Sequence, residues 1–375
     1  MTPLQRLLIV GGGVSGLTLA AALARQGVAV DMAELKRDWS VLGVGFTITG
    51  PTLRALAAIG VRERCIEAGF GFDRSTICNE RGEKLQEVAM PRVNGPDRPA
   101  SIGILRPALH AILSAAAQDS GARIRLGLTV AALRQDEDAV AVEFSDGSAA
   151  RYDLVVGADG FRSAVRALAF PDAPALRFTG QIVWRVMLRR PVEVESLYQF
   201  FGRNGKPGFV PCPDQKMLLF FTQNMNGRAR LSEAGLPVLL REALGGFGGL
   251  MAEARAQITD DCAVSYRNMD TIFVPPPWYR HRVVLIGDAA HVPGPYLSSG
   301  AGMAVEDAVV LAEALTEGGS VPQALASFMV RRFERCRMVV ENSLQLAAWE
   351  RDPTAPGADS AGLMARSWAA LAQPI

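Results

Sequence analysis

The feature that most constrains how this chain can fold is the run from Leu7 to Ala24, LLIVGGGVSGLTLAAALA. An apolar stretch behind Arg6 that closes on Ala22-Leu23-Ala24 has the outline of an export signal or a short membrane anchor. Such a segment must be one uninterrupted helix. Gly11, Gly12, Gly13 and Gly16 stand in its middle, where each glycine costs about 1 kcal/mol of helix stability. The same residues read better as a buried strand (7–10), a glycine turn, and a helix (17–25) with Leu19 and Leu23 one turn apart. A second strand (28–34) then ends in Glu34. Strand, turn, helix, strand and terminal acid in this register make a dinucleotide-binding unit. Gly11 permits the tight turn, Gly13 lets backbone approach a pyrophosphate, and Gly16 lets helix and strand pack closely. Val14 and Ser15 then lie at a helix N-terminus facing the phosphates, and Glu34 suits a ribose 2′-hydroxyl. Taken alone, the stretch also permits a glycine-rich turn without a ligand.

The rest of the chain narrows the partner. With 375 residues, 49% of them hydrophobic and 21% charged, two domains or one large domain with insertions are expected. The formal charge of +1 supplies no global field towards nucleic acid or an anionic membrane, so a small molecule is the expected partner. Five widely spaced cysteines with no Cys-x-x-Cys pair point to reduced thiols and a cytoplasmic protein. Three histidines, His110, His281 and His291, include no helical metal pair, and no metal is expected. The tail after Asp352, broken by Pro353, Pro356 and Gly357, is expected to be the least ordered part, with a helix resuming over 360–371.

Two further strands run into turns. Asp153-Leu-Val-Val-Gly-Ala-Asp159 places Asp159 and Arg162 at a strand's carboxyl end, where open α/β sheets bind ligands. An aspartate that merely caps the following helix is an equal alternative there. Arg282-Val-Val-Leu-Ile-Gly-Asp-Ala-Ala-His291 repeats the pattern, and after Pro293, Pro295 and Tyr296 the run Ser298-Ser299-Gly300-Ala301-Gly302 opens a helix with Ala304, Ala308, Leu311 and Leu315 along one stripe. Between about 172 and 275 the periodicity changes to strands at 181–188, 197–201 and 217–223. Alternation puts Gln181, Val183, Arg185 and Met187 on one face and Trp184 on the other. Arg185, Tyr198 and Tyr296 are the candidate substrate-pocket residues: the arginine for an anionic group or the edge of the cofactor, the tyrosines, with Phe200, Phe209 and Phe221, as aromatic walls.

Together the glycine turn with Glu34, the run from Gly157 to Arg166, and Gly287-Asp-Ala-Ala-His291 resemble the FAD-dependent aromatic hydroxylases, the single-component flavoprotein monooxygenases typified by para-hydroxybenzoate and salicylate hydroxylase. The resemblance implies an α/β fold: a Rossmann-like, glutathione-reductase-like FAD-binding domain (1–71, 101–171 and 276–350) with an inserted β-sheet substrate domain (72–100 and 172–275) and a C-terminal tail or helix (351–375). It implies that Glu34, with Leu35 beside it, holds the adenosine ribose, that Arg106 lies along the FAD, and that Asp288 binds the ribityl chain. Asp159 would serve FAD and a passing nicotinamide nucleotide, while Pro295, Gly300, Ala301 and Gly302 would border the flavin ring. His291 would be structural rather than a general base. NADH or NADPH would bind transiently, because Gly245-Gly-Phe-Gly-Gly249 lacks the strand and spacing of a second dinucleotide unit.

The implied activity is hydroxylation of a small aromatic or heteroaromatic substrate with O2, through a flavin hydroperoxide, by a monomer or homodimer. A reductase or epoxidase of the same superfamily, or a flavin-binding protein without turnover, is the alternative. One departure stands out: the family commonly has Gln-Gly-x-Asn where this chain reads Ser299-Gly300-Ala301-Gly302.

Overall fold

The computed structural model describes residues 4–40 and 43–375. Its organising element is a six-stranded sheet in the order Tyr279–Arg280, Val283–Leu285, Leu154–Gly157, Arg6–Val10, Ala29–Glu34, Arg123–Leu126. Neighbouring strands pair in parallel throughout, apart from the antiparallel hairpin of Tyr279–Arg280 with Val283–Leu285. Strands buried on both faces must be apolar throughout, which is why Leu7, Leu8 and Ile9 are fully buried and the first strand reads as a run rather than an alternation. The register aligns Val10 with Gly157, and Gly157 with Leu285. Three turns, beginning at Gly11, Ala158 and Ile286, therefore leave the same edge of the sheet side by side. Helix Val14–Ala24 starts three residues earlier than the apolar spacing alone predicts, and packs against Arg106–Asp119 and Gly300–Thr316.

A second sheet of eight strands runs His291–Val292, Ser265–Phe273, Arg177–Arg189, Lys216–Asn224, Gly205–Cys212, Leu197–Phe201, Arg74–Asn79, Lys84–Ala89. Along 182–188 the period of two is strict. Ile182, Trp184, Val186 and Leu188 bury one face under helices Leu236–Ala243 and Leu250–Ala256. The other face, with Val183, Arg185 and Met187, turns towards strand Gly45–Thr49, where the Gly45 amide meets the Met187 sulfur at 3.3 Å. This roof sheet packs on strand Gly45–Thr49 and meets the segment that follows the third turn, where the Tyr296 hydroxyl reaches Gln181.

The two halves are tied by an ionic network whose centre, Arg332, Glu306, Asp307 and His291, is fully buried. Arg332, on the 31-residue helix Val321–Arg351, donates from Nε to Asp307 (2.8 Å) and from Nη1 to Glu306 (2.7 Å). Asp307 also accepts from the Gly287 amide (2.9 Å) and lies 2.6 Å from His291 Nε2. Glu306 accepts two bonds from Arg335, whose guanidinium continues to the carbonyls of Ala370 and Leu371. Arg54 donates to the carbonyls of Ala372 and Gln373. The tail is thus not a loose end: helix Ser360–Ala372 is capped at its carbonyl end by two arginines, a use of side chains that the Pro and Gly residues before it do not reveal.

Burial alone would raise the Asp307 carboxyl, but His291 and Arg332 outweigh it and hold it well below the usual carboxylate range. Burial alone would lower His291, but Cys336 and Asp307 hold it well above the ordinary imidazole value. Substituting Arg332→Met should remove the cation that Asp307 and Glu306 share, leaving Asp307 with His291 and Glu306 with Arg335, and cost about 3–5 kcal/mol of stability. The His291 contribution has the sign of a raised folded-state pKa: complete below about pH 6.5 and lost as pH rises through the folded value. Urea denaturation of wild type and His291→Gln across this range should show a stability gap that narrows towards high pH; a gap that widens would contradict the network.

Candidate functional site

Each glycine of the first turn has its own steric cause. Gly11 has φ +108°, and a Cβ there would lie 2.4 Å from the Ala158 carbonyl oxygen, because the first two turns touch. A Cβ at Gly16 would lie 2.0 Å from the Gly11 carbonyl oxygen, and one at Gly12 would lie 2.7 Å from the Trp39 indole. Gly13 differs: a Cβ there would meet nothing within 4 Å, so this position faces open space at the N-terminus of helix Val14–Ala24. No side chain caps that terminus and no acid lies in its first turn, leaving its amides and positive dipole end for an anion. Glu34 is pinned beside it, accepting from the amides of Gly12 (2.7 Å) and Lys36 (2.8 Å). Leu35 is exposed next to it. An open cradle of amides beside a fixed carboxylate fits the pyrophosphate and ribose of FAD.

At the second turn, the capping alternative describes Asp159. Its carboxylate accepts from Ser163 Oγ and from the amides of Ala164 (2.7 Å) and Val165 (3.1 Å), at the start of helix Ala164–Ala169. What this turn offers the cleft is backbone. Arg166, predicted only as part of the motif, clamps the second turn to the third by donating to the carbonyls of Phe161 (2.6 Å) and Ala289 (2.8 Å).

At the third turn Gly287 and Ala289 are buried while Asp288 between them opens to the cleft. The protein crowded around Asp288 pushes its carboxyl up, and His291 and Arg106 pull the other way. Arg106 begins helix Arg106–Asp119, exposed, with its guanidinium 5.9 Å from the centre of the Phe46 ring.

Pro295 is exposed and Gly300 and Ala301 are half-buried at the start of helix Gly300–Thr316. Gly302 is buried against its neighbour: a Cβ there would lie 2.4 Å from Thr52 Oγ1, which is itself 3.2 Å from Thr49 Oγ1. The space for the family's asparagine side chain is taken by a threonine of another helix, and Gly302 serves packing there.

On the roof, Arg185 lies directly opposite Phe220 on one neighbouring strand and Ser265 on the other. Burial, with Arg106 and Arg267 nearby, lowers its pKa to about 10, so it stays charged at neutral pH; among the described residues its guanidinium has no hydrogen-bond or ion-pair partner. Phe220 is not singled out by the sequence, although it sits in phase with Arg185 once the two strands are paired. Tyr198 is a correction. Its strand pairs so that Tyr198 faces Phe209, and both join Phe200, Phe221 and Trp184 under the helices of the far face. These aromatics form a core and do not share a pocket with Arg185. Tyr296 is buried where the third turn meets the roof, its hydroxyl donating to Gln181 Oε1 and its ring 5.2 Å from Lys206 Nζ, which pairs with Glu350. Burial pushes the Tyr296 hydroxyl far up, so it stays protonated.

Potential ligand atoms of His291, Asp307 and Cys336 lie within 4.8 Å of one another. The Arg332 guanidinium already contacts Asp307 and Cys336, at 2.8 and 3.4 Å, which places a fixed cation where a metal would have to sit. Among the described residues no helix is long and apolar enough to cross a membrane.

Residues 5–343 match the FAD binding domain family. An aurachin C monooxygenase/isomerase from Stigmatella aurantiaca is 32% identical over 357 residues, spanning 92% of this chain and 90% of the relative. A 2-heptyl-3-hydroxy-4(1H)-quinolone synthase from Pseudomonas aeruginosa is 30% identical over 309 residues, spanning 82% and 79%. The crystal structure of Klebsiella pneumoniae HpxO complexed with FAD and uric acid has the same fold, with a TM-score of 0.84 at 21% identity over 99% of this chain and 93% of that one. Read with a glycine cradle, a carboxylate fixed beside it and an acid at the third strand end, these matches place the chain in the FAD-binding monooxygenase family, as an FAD-dependent oxidoreductase.

Proposed function

We propose that this flavoprotein uses NADH or NADPH and O2 to hydroxylate a small aromatic or heteroaromatic ring held between the flavin and the roof sheet. FAD, when bound, would supply the redox chemistry: reduction by the nicotinamide and transfer of one atom of O2 to the ring, the other leaving as water. The amides of Gly13, Val14 and Ser15 would hold its pyrophosphate, Glu34 its ribose and Asp288 its ribityl chain. The amides of Gly300 and Ala301, at the positive end of a 17-residue helix, would stabilise negative charge on the reduced ring.

The observation that carries the substrate side is Arg185, a half-buried, charged guanidinium without a partner among the described residues, set beside the Phe220 ring on the face that looks into the cleft. A desolvated cation is costly unless a partner arrives, and a ring oxyanion or acidic substituent is such a partner. Negative charge on a ring oxygen makes the ring electron-rich, which is what oxygen transfer to carbon requires. Arg185 would thus orient the substrate and favour its reactive ionised form, while the roof excludes water. The quinolone named in one relative and the uric acid in the related crystal structure are ring systems of this kind.

Screening aromatic acids, phenols, hydroxypyridines and quinolones should reveal compounds that stimulate NAD(P)H oxidation coupled to O2 uptake and yield a hydroxylated product; if none does, the proposal fails. With an active compound, Arg185→Gln should lower kcat/KM by at least about tenfold, the scale of one charge-assisted hydrogen bond. Tyr198→Phe, altered on the far face, should leave kcat/KM within about twofold of wild type. Equal losses in both variants would contradict the assignment of the two faces.

A further inference from the structure

The dinucleotide motif accounts for Gly11, Gly13 and Gly16 but not for Gly12, since the position between the first two glycines is free in it. Here the cause is Trp39. Its ring atoms lie 2.7 and 3.1 Å from where a Gly12 Cβ would be, and Glu34 Oε2 lies 3.2 Å from the same point. Behind the indole stands His110, with ring centres 5.0 Å apart and its Nε2 3.0 Å from the Gly12 carbonyl oxygen. From Leu35 to Ser40 every residue is exposed except Trp39, and the loop is pinned by Lys36 Nζ on the Ser40 carbonyl (2.6 Å) and by the Ser40 amide on Asp38 (3.0 Å). A half-buried aromatic surface therefore borders the carboxylate that suits a ribose.

We propose that Trp39, backed by His110, is a wall of the site for the adenosine half of FAD, so that the purine nucleoside end is recognised by an aromatic face as well as by Glu34. A nucleoside offers a flat, apolar base attached to a hydroxyl-bearing sugar, which matches an indole next to a carboxylate. The proposal rests on the FAD reading above.

The test uses the full-length apoprotein with FAD and with ADP, which carries the adenosine half alone. Trp39→Ala should weaken both ligands by about tenfold or more, the range of a lost base–aromatic contact, while Trp39→Phe stays within about threefold of wild type. ADP should also alter the tryptophan emission of wild type and not that of Trp39→Phe. The emission response decides the matter if Trp39→Ala does not fold. Unchanged FAD and ADP affinity in Trp39→Ala, or an ADP-induced emission change that persists in Trp39→Phe, would overturn the proposal and leave Trp39 as a cover for the glycine turn. A wild-type apoprotein that binds neither ligand would instead sink the FAD reading on which it rests.

Discussion

The structure depends on one carboxylate. Asp307 holds the Gly287 amide, His291 and Arg332 at once, in a region sealed from solvent. A buried carboxylate is tolerated only when its charge and its lone pairs are matched, and here a guanidinium matches the charge while an amide and an imidazole take up the remaining acceptor capacity. Because Gly287 and His291 flank Asp288 on the third turn, Asp307 fixes both sides of the segment that carries it. Through Glu306 and Arg335 the same network reaches the C-terminal helix, and so a turn at the centre of the cleft is tied to the end of the chain.

From that anchor the division of labour follows. Three parallel strand ends, aligned at Val10, Gly157 and Leu285, deliver three turns to one edge. The first leaves a cradle of amides, the second leaves backbone because Asp159 caps its own helix, and the third leaves an acid in the cleft. The eight-stranded sheet contributes the opposite wall, where strict alternation puts a charged guanidinium on the inner face and a continuous aromatic core on the outer. In the function proposed above, cofactor and substrate are addressed by different sheets. The two sheets meet where the roof seats on the strand Gly45–Thr49, through neighbours such as Met187 and Gly45.

What can be read in the sequence is what glycine and burial punctuate. The first strand and helix are legible because a glycine cluster inside an apolar run suits a turn and opposes a continuous helix. The first turn of that helix is hidden, since Val14 to Gly16 precede its apolar stripe. The inner and outer faces along Arg177–Arg189 are legible from alternation within one strand. Tyr198 is misplaced by the same rule because alternation gives relative faces within a strand, and only the pairing of Tyr198 with Phe209 tells which face is which. Asp159 can be assigned only when the groups that donate to it are seen. Asp307, Glu306 and Arg335 leave no signal: each lies on a helix among ordinary residues, and its partners are brought to it from elsewhere in the chain. Gly302 reads as a lost side chain until Thr52 is found in its place.

The most direct test of this account is FAD binding to the apoprotein when Asp307 is replaced by Asn, followed by flavin fluorescence, with circular dichroism to establish folding. Asp307 is fully buried and reaches the cleft only by holding the Gly287–His291 turn. The account predicts that wild type binds FAD at one per chain and that a folded Asp307→Asn protein binds it at least about tenfold more weakly, the loss expected from weakening one charge-assisted hydrogen bond. Wild-type affinity in a folded Asp307→Asn protein would contradict it.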